Sequence, residues 1–210
     1  MPRMPGPALP DPNVDEPDEA LMLRYAAGDI AAFDTLYARR ELGVWRFLLR
    51  SVRIAAVADD LLQDVWFAVA RQGGSLRAST DGGTGYQPSA RFKTWLFTIA
   101  HHRLIDHFRS DRHDLRLDDD AKEDGTLLDT LAADSGLGPL RQLQSRQQAE
   151  ALIEAVEQLP AEQREAFLLQ AEGGLSVEDI ARATGVNFET AKSRLRYARQ
   201  RLRQQLQEFA

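Results

Sequence analysis

Residues 176–206 read SVEDIARATGVNFETAKSRLRYARQRLRQQL. Ser176-Val177-Glu178-Asp179 fits a capping box, in which a serine and an acid three residues on satisfy the free N–H groups of a helix start. Gly185 ends the short helix that follows. Asn187 then caps a longer helix running to about Leu206. Helix, glycine-containing turn and basic second helix make the helix-turn-helix plan, whose second helix enters the major groove of DNA. On a helical wheel Ala191, Leu195, Ala198, Leu202 and Leu206 share one apolar stripe. Lys192, Ser193, Arg196, Gln200 and Arg203 occupy the opposite face. Lys192 and Arg196 can donate to guanine acceptors, and Ser193 can contact base or phosphate. Arg194, Arg199 and Arg201 flank that face and suit phosphates, as does Thr190 at the helix start. A surface helix made basic for solubility would carry the same stripe. Six basic residues against one acid over 187–206, behind a capped helix and a glycine turn, favour DNA.

Upstream of this segment the pattern stays helical. A helix is expected over 144–159, ended by Pro160, and another over 161–172, stopped by Gly173-Gly174. Residues 113–139 are acidic, contain glycine and lack periodicity, so they read as a linker. Residues 91–112 form a strong helix. Residues 73–90, with five glycines, read as a long loop. Before it lie a helix over 57–71 and two helices separated by Gly28-Asp29. Residues 1–17 hold six of the nine prolines and read as a disordered tail. The expected fold is all-α: an N-terminal domain over 18–112, a flexible acidic linker, and a helix-turn-helix domain over 140–210.

Two N-terminal helices carry further signals. In VADDLLQDVWFAVARQ, residues 57–72, Leu61, Leu62, Val65 and Val69 make a buried stripe. Asp60, Gln63, Asp64 and Phe67 share another face, which could be simply solvated or could dock a partner helix. In RFKTWLFTIAHHRLIDHFRSDRH, residues 91–113, Leu96, Phe97, Ala100, Leu104 and Phe108 form the core side. Thr98, His102, Asp106 and Arg109 line the other. Basic and aromatic residues interleave there, which suits stacking on unpaired bases, although core packing accounts for Trp95, Phe97 and Phe108. His102 and Asp106 are spaced to share a metal, but no third ligand is evident.

Composition sets the remaining limits. The 210 residues carry a net charge of -6 and no cysteine, which removes disulfides, thiolate metal sites and thiol nucleophiles. No apolar run is long enough to span a bilayer and no secretory signal is evident, so the cytoplasm is the expected compartment. No cofactor motif or catalytic constellation is present. The charge is segregated: +3 over 91–116 and +5 over 187–206, against -4 over 1–20 and -6 over 117–138. Such asymmetry points to polyanion contact by the basic segments.

Together the segments AGDIAAFDTLYARR, DDLLQDVWFAVA, FKTWLFTIAHHRLIDHFR, LPAEQREAFLLQAEGGLSVEDIA and ETAKSRLRYARQRL resemble a bacterial sigma factor of the extracytoplasmic-function group. The resemblance implies a non-catalytic protein that binds core RNA polymerase and promoter DNA, and whose relatives are commonly held by an anti-sigma factor. It implies that Asp60, Gln63, Asp64 and Phe67 dock on the clamp helices of the polymerase largest subunit. It implies that the 91–112 helix and the loop before it open the minus-ten element, with Lys93, Trp95, Thr98, His102 and Arg109 as its contacts. Thr190, Lys192, Ser193, Arg194, Arg196 and Arg199 fall on the minus-thirty-five side. The acidic linker matches a segment that threads polymerase near the RNA path. Three departures stand out: His102 lies where many relatives carry Asn, Arg196 is longer than the aromatic some relatives have, and the 73–90 loop is long. The competing readings are a helix-turn-helix regulator that does not dock on polymerase and a metal hydrolase using His102 and Asp106.

Overall fold

The computed structural model describes residues 16–78, 91–114 and 146–207. Among the described residues there are eight α-helices and no strand. The N-terminal unit holds α1 (Asp18–Ala27), α2 (Ile30–Val52), α3 (Ala55–Ala78) and α4 (Phe92–Asp114). The C-terminal unit holds α5 (Arg146–Glu157), α6 (Ala161–Ala171), α7 (Val177–Thr184) and α8 (Phe188–Gln205).

Local chemistry sets the N-terminal boundaries. Gly28 takes a left-handed conformation that closes α1. Asp29 then caps α2, its Oδ1 accepting the Ala31 N–H at 3.1 Å. Asp18 is buried at the start of α1, where it accepts from Arg39 at 3.1 Å and Arg40 at 2.6 Å, so two arginines of α2 fasten α1 down. Glu19 reaches further: its Oε1 accepts the Phe92 N–H at 2.9 Å, satisfying a free donor at the start of α4. Leu21, Leu36, Phe47, Val65, Val69, Leu96 and Phe97 fill the space between these helices.

The C-terminal boundaries follow the sequence closely. Ser176 and Asp179 form the capping box at the start of α7. Gly185 closes it at φ 68°, a conformation that a side chain would strain. Asn187 caps α8, its Oδ1 accepting the Thr190 N–H at 2.8 Å. Ala191, Leu195, Ala198 and Leu202 are all buried, as the stripe requires, and Leu206 is half-buried.

Several expectations change. Helix α3 continues through Gly73-Gly74 to Ala78, so the expected loop loses residues 73–78, and residues 79–90 lie outside the described residues. A mid-helix glycine weakens a helix by about 1 kcal/mol without forbidding it. Of the expected tail, Glu16 and Pro17 join the fold: the Glu16 carbonyl accepts from Arg39, and the Pro17 carbonyl accepts from Ala20 and Leu21. Of the expected linker over 113–139, residues 113 and 114 instead continue α4; residues 115–139, together with 1–15 and 140–145, lie outside the described residues. Phe108 is 37% exposed and does not belong to the core.

The two units share one hydrophobic core. The turn after α6 docks on α2 and α4. A Cβ on Gly173 would run into the Leu169 carbonyl oxygen and the Leu175 side chain of its own turn and would press on the Phe97 ring at 3.2 Å, so the turn itself requires glycine. Phe97 in turn packs edge-on to Phe47, with ring centroids 5.7 Å apart.

Candidate nucleic-acid interface

Helix α8 separates its residues by function. The buried stripe faces α6 and α7, leaving Lys192 and Arg196 exposed on the outside. The Lys192 ammonium lies 5.8 Å from the Phe188 ring centroid and 3.5 Å from Glu189. The Arg196 guanidinium lies over the Tyr197 ring at 4.8 Å, and its Nη2 donates to the Tyr197 hydroxyl at 3.0 Å. The Ser193 hydroxyl donates to the Thr190 carbonyl at 2.9 Å. Arg194 differs from its neighbours: it pairs with Glu162 of α6 at 2.9 Å and its side chain is mostly covered. Arg199 also reaches back, donating to Gln170 at 2.5 Å. The outward face of α8 therefore carries Lys192 and Arg196 with the half-buried Ser193 between them, while Arg194 and Arg199 reach back to α6.

Helix α4 has two working faces. Helical spacing puts Trp95, Thr98, His102, Asp106 and Arg109 on one side. His102 and Arg109 are exposed, Thr98 is half-buried, and Trp95 rests against Phe92 with centroids 5.7 Å apart. Lys93 is not on this side. It lies across the helix with Phe97 and His101, against the C-terminal unit, and its Nζ would be 2.7 Å from a Cβ on Gly174. Burial, with Arg40 nearby, holds its pKa below the usual lysine value against the pull of Asp18 and Glu172. His101 is buried, with Nδ1 2.8 Å from Glu165 Oε1, a contact at hydrogen-bond distance but poorly angled for one.

On α3, Leu61, Val65 and Val69 are buried and Leu62 is half-buried. Asp60, Gln63, Asp64 and Phe67 all face outward, with Phe67 59% exposed.

The pairing of Arg50 with Glu172 was not visible in the sequence. It lies on α2 and the turn after α6, 122 residues apart, with Nη1 donating to Oε1 at 2.5 Å and both side chains buried. The one local signal was Gly173-Gly174 beside Glu172, which reads as a helix stop and serves also as a point of close approach. Among the described residues no three His, Asp or Glu side chains gather as metal ligands, and no helix is long and apolar enough to cross a membrane.

An all-helical chain with an exposed basic recognition helix in one unit and a mixed basic–aromatic helix in the other has the make-up of a DNA-binding transcription protein. Two family models match it: Sigma-70 region 2 over residues 36–113 and Sigma-70 region 4 over residues 149–202. The RNA polymerase sigma factor CarQ of Myxococcus xanthus is 33% identical over 188 residues, covering 90% of this chain and 97% of its own. The ECF RNA polymerase sigma factor RpoE of Cereibacter sphaeroides is 33% identical over 183 residues, covering 85% of this chain and 88% of its own. In fold, the chain is similar to the sigma factor RpoE of Bartonella quintana, solved with the anti-sigma factor NepR. The TM-score is 0.58 at 24% identity, over 83% of this chain and 96% of that one. The chain belongs to the sigma factors of bacterial RNA polymerase, in their extracytoplasmic-function group. It directs transcription initiation, as a family whose members bind core polymerase and promoter DNA.

Proposed function

We propose that this chain divides promoter recognition between its two units and makes no bond itself. Helix α8 reads the minus-thirty-five element through Lys192, Ser193 and Arg196, with Thr190, Arg194 and Arg199 steadying phosphates. Helix α4 holds the opened minus-ten strand along Trp95, Thr98, His102 and Arg109. Helix α3 docks on the polymerase clamp through Asp60, Gln63, Asp64 and Phe67. The observation that carries this reading is that Lys192 and Arg196, His102 and Arg109, and Asp60, Gln63, Asp64 and Phe67 are left exposed on three separate helices.

The physics fits each role. A bidentate arginine in the major groove discriminates bases by hydrogen bonding. An unpaired strand is held by stacking and backbone charge. An exposed aromatic beside acids suits a basic helical partner. The protein needs no cofactor and works in the cytoplasm, where polymerase and DNA are. A protein partner of the anti-sigma type would control it, as NepR is bound to the Bartonella sigma factor. With no cysteine, the chain has no thiol switch of its own.

Reconstituted transcription with core RNA polymerase tests the reading. Promoter-dependent initiation that requires this chain is the expected result. A chain that binds promoter DNA but neither binds core enzyme nor starts transcripts would overturn it.

A further inference from the structure

Among the described residues of the C-terminal unit, the large apolar side chains left exposed are Phe188 and Tyr197, and both lie on α8. Tyr197 steadies Arg196. Phe188 is the first residue of the helix and is 48% exposed. It forms no part of the core, whereas Val186, two residues earlier, packs against it. The helix cap does not need it either, since Asn187 supplies the cap by accepting the Thr190 N–H. A phenylalanine placed here forgoes most of the stabilisation that burying its ring would give.

The neighbours of Phe188 define what it faces. Phe188, Lys192 and Arg196 follow one another at every fourth residue, so they run in one row along the outside of α8. The Lys192 ammonium lies 5.8 Å from the ring centroid. The row begins where α8 begins, and the N-terminal residues of a recognition helix are the ones that meet base edges. A lone ring beside cations offers too little apolar area to seat a protein partner. In the major groove it has a specific counterpart. Thymine alone presents a methyl group there, at C5, where the other bases are read by their hydrogen-bond donors and acceptors. Spacing sets where that thymine stands. A step of four residues rises about 6 Å along a helix, which matches about two base pairs of a duplex rising about 3.4 Å each.

We propose that Phe188 is a specificity-determining residue for the minus-thirty-five element: its ring packs on the C5 methyl of one thymine, within about two base pairs of the guanine that Lys192 reads. The proposal rests on the promoter-recognition reading above and adds a base preference to it. Burying one methyl-sized group shifts a binding equilibrium about fourfold, which is the size of effect to look for.

Holoenzyme reconstituted from core RNA polymerase and the full chain is offered promoter duplexes randomised across the minus-thirty-five element, and the preferred element is read from the bound fraction. Each thymine of that element is then replaced singly by deoxyuridine, which removes the methyl and leaves base pairing intact. One such replacement should weaken wild-type promoter binding about fourfold. Phe188→Ala should bind the thymine and uridine duplexes equally well and should select no thymine at that position. Phe188→Leu, which keeps an apolar side chain there, should retain part of the preference. Lys192→Ala should lose a guanine preference within about two base pairs of the same thymine. Both Phe188 variants should unfold close to the wild-type midpoint, because the side chain is already half in water.

A wild-type holoenzyme indifferent to every uridine replacement overturns the proposal, as does a Phe188→Ala holoenzyme that still tells thymine from uridine. A guanine preference lost further away overturns the placement beside Lys192. Weaker binding of Phe188→Ala to core polymerase in the absence of DNA would make the ring a protein contact and overturns the proposal too. Failure of the wider promoter reading gives a different result: wild-type holoenzyme then selects no minus-thirty-five sequence at all, and this inference falls with it.

Discussion

Ser176 and Asp179 cap each other. The Asp179 N–H donates to Ser176 Oγ at 3.1 Å, and Ser176 Oγ donates to Asp179 Oδ2 at 2.7 Å. Arg182 donates to the other carboxylate oxygen. The pair fixes where α7 begins, and therefore how the recognition helix behind it is presented.

Stability of the helix-turn-helix should depend on acid through Asp179. Burial pushes its pKa up, but the hydrogen bonds from Ser176 and Arg182 outweigh this and hold the carboxyl below its usual range. A carboxylate lowered on folding contributes above its unfolded pKa, and the contribution fades as pH falls through the folded value. Urea unfolding should show Asp179→Asn less stable than wild type at pH 7, with the gap narrowing below about pH 4. A gap unchanged down to pH 3 would contradict this.

Asp18→Asn should destabilise the N-terminal unit by about 1–3 kcal/mol, because Arg39 and Arg40 lose their common carboxylate partner at a buried site. Thermal and urea unfolding of the full chain measure it. A change within about 0.5 kcal/mol would mean that the α1–α2 contact rests on Leu21 and Met22 packing instead.

Arg196→Ala should weaken initiation at the cognate promoter by about 1–3 kcal/mol, with little loss at promoters altered in the base it reads. The Tyr197 ring holds the Arg196 guanidinium at 4.8 Å, so Tyr197→Ala should cause a smaller loss of the same sequence dependence. Equal loss at every minus-thirty-five sequence would make Arg196 a phosphate contact.

Phe67→Ala should leave unfolding within about 0.5 kcal/mol of wild type, since the ring is already exposed. Binding to core polymerase should weaken about tenfold, the loss expected when an aromatic anchor leaves an interface. Unchanged binding would move the docking face elsewhere on α3.

What could be read in advance differed from helix to helix. The caps at Ser176 and Asn187, the Gly28 and Gly185 stops and the buried stripe of α8 rest on near neighbours in sequence, and each was found where the residues put it. Gly73-Gly74 misled because a glycine pair only weakens a helix, and α3 ran on. On α4 periodicity found two faces but could not say what covered the second. Lys93 therefore looked like a nucleic-acid contact until Gly174 was seen against it. Arg194 read as a residue flanking the recognition face and suited to phosphates, and its pairing with Glu162 on α6 lay beyond any local pattern.

The sequence by itself determined the helix caps, the helix-turn-helix, the family and the outward faces of α3 and α8, because capping and amphipathic periodicity act within a few residues along the chain. Tertiary structure alone decided that the two units close on each other and that Arg50 meets Glu172. That pairing spans 122 residues and depends on the turn after α6 fitting between α2 and α4, which no local pattern encodes.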